Sequence, residues 1–182
     1  MLTGGHAFFR PGDAIFRREA WLQRHRDSSV RTSPPKDSFA IDVQTDASLV
    51  ARQWEELEPF GTVFQTRAWL MPWYRIVAPR FKASPLFVTV SQRETHRPLM
   101  FFPLCLRLRR GLRIVEFADL GVSDYNAPIM APGLALDGEA MKTLWKDICR
   151  SLPRADIVRF TKVPEFLSRC LVPLVQLSQV SV

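Results

Sequence analysis

Arg97–Ala127 reads RPLMFFPLCLRLRRGLRIVEFADLGVSDYNA, and the fold of the chain turns on how this stretch is taken. Leu99–Leu108 is almost entirely apolar and is broken by Pro103, which would rob a helix interior of a hydrogen bond. Leu104, Leu106 and Leu108 alternate with Cys105, Arg107 and Arg109, the period-2 signature of a strand emerging from a core. Gly111, after Arg109 and Arg110, supplies the positive φ of a tight hairpin turn. The chain then returns as a second strand over Leu112–Ala118, carrying Ile114, Val115 and Phe117 inward. That hairpin delivers the chain to Asp119–Asn126, a loop of Asp, Ser, Gly and Asn with one aromatic. Loops held by rigid elements are where binding groups sit.

Upstream, Phe39–Thr45 alternates and predicts a first strand. Thr45 or Asp46 is then placed to cap a helix running to Glu58, with Val50, Trp54 and Leu57 on one face. Pro59 and Gly61 stop it. Thr66 caps a second predicted helix, Arg67–Val77, in which Pro72 should force a kink or a restart. Pro85–Ser91 is a β-branched strand with its turn over Gln92–His96. Downstream, Asn126–Met130 reads as a short strand. Asp137–Ser151 is a third helix with Met141, Leu144, Trp145 and Ile148 at helical spacing, and Ala155–Thr161 is a last strand. Strands alternating with helices around an antiparallel hairpin give an α+β fold: a mixed β-sheet with flanking helices.

Three regions follow. Residues 1–38 hold Gly4-Gly5, Pro11-Gly12 and Ser33-Pro34-Pro35 among many arginines, and read as a flexible basic tail. Residues 39–163 form the domain, and residues 164–182 an apolar C-terminal segment in which only Glu165 and Arg169 carry side-chain charge. Left uncovered, such a segment would drive self-association.

Composition narrows the function classes. No run approaches the roughly 18 apolar residues of a membrane span, and the N-terminus has no apolar signal core, so a cytoplasmic protein is expected. Cys105, Cys149 and Cys170 are too widely spaced for a zinc site and odd in number, which reads as reduced, mostly buried thiols. A net charge of +7 admits an acidic partner, but the 20 arginines and 5 lysines are scattered along the chain rather than striped on one element. Nucleic acid is therefore not the expected partner. A basic module for nucleic acid or acidic polysaccharide is the alternative.

Four ordered motifs carry a family resemblance: Phe64-Gln65-Thr66-Arg67-Ala68-Trp69-Leu70, Pro103-Leu104 before a basic glycine turn, Ser123-Asp124-Tyr125, and Phe160-Thr161-Lys162-Val163-Pro164. Over Phe39–Leu174 the chain resembles the GNAT-like acyltransferases of the cellulose-biosynthesis (CelD/BcsL) type, which carry a BioF2-like acetyltransferase domain. Members are about twice as long and have a second GNAT-like repeat. The resemblance therefore implies an N-terminal portion carrying one repeat, not catalytically competent alone. It implies a GNAT-like sheet, acyl transfer from acyl-CoA (acetyl-CoA) to a small-molecule, amine or glycan acceptor, and a role in exopolysaccharide synthesis.

Chemistry searched for in the residues narrows this further. An acyl-CoA enzyme of the GNAT kind cradles pyrophosphate with a Gln/Arg-x-x-Gly-x-Gly/Ala loop, and none of the eight glycines has that spacing. No cofactor is thus expected on this chain itself. Gly121-Val122-Ser123 opens like a nucleophile elbow but lacks the second glycine, and His96 has no evident partner. No residue earns a catalytic assignment. Trp69, Trp73 and Tyr74 read as core by spacing and as an aromatic wall by chemistry. Asp124, Tyr125 and Asn126 read either as turn formers or as hydrogen-bonding groups for a ligand. Trp69, Trp73, Asp124, Tyr125 and Asn126 are the substrate-binding candidates.

Overall fold

The computed structural model describes residues 38–164, 166 and 167, 170 and 171, and 174. Its centre is a six-stranded mixed sheet in the order β1-β2-β3-β4-β6, with β5 also pairing β3. The strands are β1 (Phe39–Gln44), β2 (Ala83–Gln92), β3 (Pro98–Arg109), β4 (Leu112–Phe117), β5 (Ile129–Met130) and β6 (Ile157–Val158). All neighbours run antiparallel except β4 and β6, which are parallel.

The hairpin forms as the alternation predicts. Arg110 (φ 51°) and Gly111 (φ 81°) are both left-handed, the two-residue turn whose twist matches that of paired strands. It fixes the register Arg109↔Leu112, Arg107↔Ile114, Cys105↔Glu116. One edge of β3 lies along β2 from Ala83↔Arg107 to Ser91↔Pro98. The other edge is divided: Leu104–Arg109 pair β4, while Met100 and Phe101 pair β5. Ala118 N–H donates to Pro103 O at 3.1 Å where one partner gives way to the other. Residues 118–128 therefore leave the sheet from the middle of β3.

Both sheet faces are covered. On one, Val88, Val90, Met100, Phe102, Leu104 and Val115 pack with Met141, Leu144 and Ile148 of the helix Gly138–Ser151 (α3). Asp137 caps that helix by accepting from Ala140 N–H at 2.8 Å. On the other, Phe87, Phe101 and Cys105 pack with Val50, Trp54, Leu57, Leu70, Trp73 and Tyr74. These come from α1 (Ala51–Leu57) and α2 (Arg67–Pro72) with the turns that extend it. Trp54 is fully buried, with its ring 5.0 Å from Phe101 and 5.7 Å from Phe87.

Several local expectations are corrected. Neither Thr45 nor Asp46 caps α1: Asp46 Oδ1 accepts from Ser48 N–H at 2.8 Å in a turn, and the helix starts only at Ala51. Thr66 does cap α2, accepting from Trp69 N–H at 3.3 Å. Pro72 ends its α-helical part, and the chain continues as a π-helical turn (Trp73–Val77) and a last α turn (Ala78–Arg80). The wider turn accommodates what Pro72 removes from the ladder. The strand expected over Ala155–Thr161 pairs only at Ile157–Val158, because β6 parts from β4 beyond that point. Cys105 is buried but Cys149 is exposed. The tail expected over residues 1–38 lies outside the described residues, Ser38 excepted. Little of the C-terminal segment is described: the antiparallel pair Phe166–Leu167 and Cys170–Leu171, and Leu174. Leu174 is buried in the core on the α3 side, so the segment is not wholly uncovered.

Tyr74 ties the helical layer to the sheet by donating its hydroxyl to Leu104 O at 2.8 Å. Burial, with a smaller contribution from Cys105, pushes this phenol well above its usual 10.0. Removing the hydroxyl in Tyr74→Phe should cost about 1–2 kcal/mol, read from the urea midpoint. Because the folded-state value is raised, the wild-type stability tied to this phenol is full below pH 10 and falls above it, and the variant should lose that alkaline decline.

Candidate functional site

The loop after β4 opens with a tight turn in which Leu120 (φ 49°) and Gly121 (φ 92°) are left-handed and Val122 N–H donates to Asp119 O at 3.2 Å. The turn brings Asp119, Ser123 and Asn126 together, and all three are buried. Asp119 Oδ1 accepts from Ser123 N–H at 2.7 Å and from Ser123 Oγ at 2.6 Å. Asp119 Oδ2 accepts from Asn126 Nδ2 at 3.3 Å and pairs with Lys162 Nζ at 3.1 Å. Burial pushes the Asp119 carboxyl up, but the bonds from Ser123, Asn126 and Lys162 outweigh it and hold the group at about 2.

Asn126 joins the loop to the segment after β6. Its N–H donates to Lys162 O at 3.0 Å and its Nδ2 to Thr161 O at 3.1 Å. Lys162 Nζ in turn donates to Ser123 O at 2.7 Å. Lys162 is itself left-handed, φ 58°, a conformation that costs a non-glycine residue roughly 1 kcal/mol or more and persists only where the surroundings enforce it. Trp73 supports the loop from the core, its indole N–H donating to Asp119 O at 3.1 Å.

A second charged group lies beside the first. The period of two puts Arg107 and Glu116 on the same sheet face as Cys105, and the parallel register adds Arg159. Arg159 Nη2 donates to Glu116 Oε2 at 2.6 Å, and Arg107 Nη2 lies 2.7 Å from Glu116 Oε1. That second contact is close but off the N–H direction, so neither Arg107 Nε nor Glu116 Oε1 gains an aligned hydrogen bond. On this same face, burial, then the nearby Glu116 carboxylate, push the Cys105 thiol up to about 12.

Both groups line one cleft of about 270 Å³, together with Arg109, Phe81, Phe117, Leu120 and Thr161. Its walls carry four cations, Arg107, Arg109, Arg159 and Lys162, against two carboxylates, Glu116 and Asp119. A larger groove of about 680 Å³ runs between α1 and α2 over Ala47, Ala51, Ala68 and Met71. It is mostly apolar and brings fewer polar groups together, so the smaller cleft is the stronger site. Among the described residues no group of three or more His, Cys, Asp or Glu is placed to hold a metal ion.

The five residues singled out by sequence go to different places. Asn126 is in the buried network. Asp124 and Tyr125 point to the surface. Trp69 is also exposed, and Phe64 joins it to Tyr125 through edge-to-face contacts of 5.5 and 5.4 Å, making one aromatic surface from two distant segments. Trp73 is core. Sequence reasoning missed Arg107, Glu116, Asp119, Arg159 and Lys162 as site residues. Arg107 and Glu116 carried a signal: a two-residue turn at 110–111 sets a register that puts the two charges diagonally across one face.

Comparison of the chain with family models, with curated proteins and with solved structures finds no match. No helix among the described residues is long and apolar enough to cross a membrane.

Asp119 predicts an acid limb. Its folded-state carboxyl is depressed from 3.8 to about 2, so the stability it gives is present above pH 3.8 and is lost as the pH falls toward 2. Asp119→Asn should lower stability at pH 7 by about 1–3 kcal/mol and flatten that acid limb. Urea midpoints measured between pH 7 and pH 2.5 on both proteins check it.

Proposed function

We propose that this chain is the ligand-holding, non-catalytic repeat of a cytoplasmic GNAT-like acyltransferase of the cellulose-biosynthesis type, with the acyl-transferring groups supplied by a second repeat. The observation that carries this is the state of the ionisable groups around the cleft. A general base works best with a pKa near the operating pH. Asp119 is held at about 2 and Cys105 at about 12. Ser123 Oγ is buried and spends its proton on Asp119, and no described histidine is hydrogen-bonded to it. These groups can hold and orient a bound molecule, and neither Asp119 nor Cys105 is poised to move a proton near neutrality.

In this reading the acceptor, a small molecule, amine or glycan, meets the domain at the loop Asp119–Asn126. Tyr125 and Trp69 offer it aromatic faces and Asp124 a carboxylate. The acyl-CoA of the parent reaction is bound elsewhere, which agrees with the missing phosphate-cradling glycine loop.

Two measurements test the proposal. Calorimetry of the chain with acetyl-CoA should show no micromolar binding, and a micromolar dissociation constant would overturn the non-catalytic assignment. Asp124→Ala and Tyr125→Phe, both at exposed positions, should leave the melting temperature nearly unchanged, within about 0.5 kcal/mol of stability. In a protein carrying both repeats the same changes should lower acceptor turnover.

A further inference from the structure

We propose that the cleft beside β4 and β6 is a binding site for a small oxyanion, a phosphate or a carboxylate group, recognised chiefly by Arg107 and Arg109. This does not rest on the acyl-transfer reading. Arg107 lines the cleft with its side chain only 10% exposed, yet it makes no aligned hydrogen bond to any described residue. Its Nη2 lies 2.7 Å from Glu116 Oε1, and its Nε is buried without a hydrogen-bond partner among the described residues. Buried guanidinium donors normally find acceptors, and an unmet one is costly. Glu116 Oε1 likewise has no aligned partner, while its Oε2 accepts from Arg159.

Charge and shape select the ligand. Four cations face two carboxylates across the cleft, leaving an excess of two positive charges, which suits a mono- or dianion. Arg109 lies two positions along β3 from Arg107, on the same face, and has no ion-pair partner among the described residues. Guanidinium forks bond the oxygens of a phosphate or carboxylate in pairs, which favours these groups over a halide. Phe81, Phe117 and Leu120 make part of the wall apolar, which strengthens the attraction over that in open water. At about 270 Å³ the cleft has room for a head group and a short stem rather than an extended polymer.

The test titrates the full chain with inorganic phosphate and, separately, with succinate. Ionic strength is held constant with sodium chloride, and melting temperature and binding heat are read. A saturable rise beyond that of chloride is expected for at least one of them. Saturation by phosphate alone, by succinate alone or by both upholds the site and identifies the head group it takes. Arg107→Lys keeps a cation opposite Glu116 but loses the fork, and should weaken binding about tenfold or more. Arg109→Gln removes an exposed charge without touching the packing, and should weaken binding about threefold while leaving the ligand-free melting temperature in place. Arg80→Gln, at an exposed cation outside the cleft, should bind as wild type. No saturable effect beyond chloride overturns the proposal, and so does wild-type affinity in Arg109→Gln. The second variant decides the matter even if Arg107→Lys fails to fold.

Discussion

A strand has two edges, and β3 spends both. Residues 98–107 lie along β2 on one side, while the other side is divided between β4 and β5. The chain between β4 and β5 must therefore leave the sheet and return to the same edge within residues 118–128. It does so beside the segment that follows β6, to which Asn126 ties it. Backbone groups stranded in such a gap need partners. Asn126 supplies them by bonding Lys162 O and Thr161 O, and Asp119 collects the donors of Ser123, Asn126 and Lys162 around one carboxylate. The polar loop is thus the means by which a divided edge is closed.

That closure has an electrostatic cost. Removing charges from water is expensive, and a buried pair rarely stabilises more than an apolar filling would. The Arg107–Glu116–Arg159 group is therefore poorly explained as a device for stability, all the more because Arg107 and Glu116 Oε1 meet without an aligned hydrogen bond. Lys162 adds a left-handed backbone to the same place. Misaligned charge and backbone strain a few residues apart mark a region shaped by something besides packing.

Much of the architecture is legible in the residues. The alternation at Leu104–Arg109, the glycine at 111 and the helical spacing of Met141, Leu144 and Ile148 each report a local period, and each is met. The start of α1 is not legible from Asp46, because a side chain that can cap a helix can equally close a turn with Ser48. The shortness of β6 is not legible either. Ile157 and Val158 are β-branched like the residues of any strand, and only the departure of the partner limits the ladder. The site is harder still. Asp119, Ser123 and Asn126 lie within one loop, but Arg107, Arg159 and Lys162 come from two other segments, and local composition cannot say that they converge. What sequence can offer is register, and it suffices for Arg107 and Glu116 because a two-residue turn fixes it.

The loop divides its residues between two surfaces. Asp119, Ser123 and Asn126 turn inward and are locked, while Val122, Asp124 and Tyr125 turn outward. Composition alone points to the stretch without separating the two sets, which is why Asn126 and Tyr125 look alike in sequence and do different work. The inward set fixes the position of the outward one. Gln65 strengthens this from the other side: it is buried, its Nε2 donates to Ala127 O at 2.7 Å, and its own carbonyl accepts from the Trp54 indole at 2.9 Å. Phe64, next to Gln65, and Tyr125, next to Asn126, are therefore held against each other by hydrogen bonds beneath the surface rather than by their own contact. An aromatic face anchored in this way loses little side-chain freedom when something binds to it. Pre-organisation of that kind is what converts an exposed patch into a recognition surface.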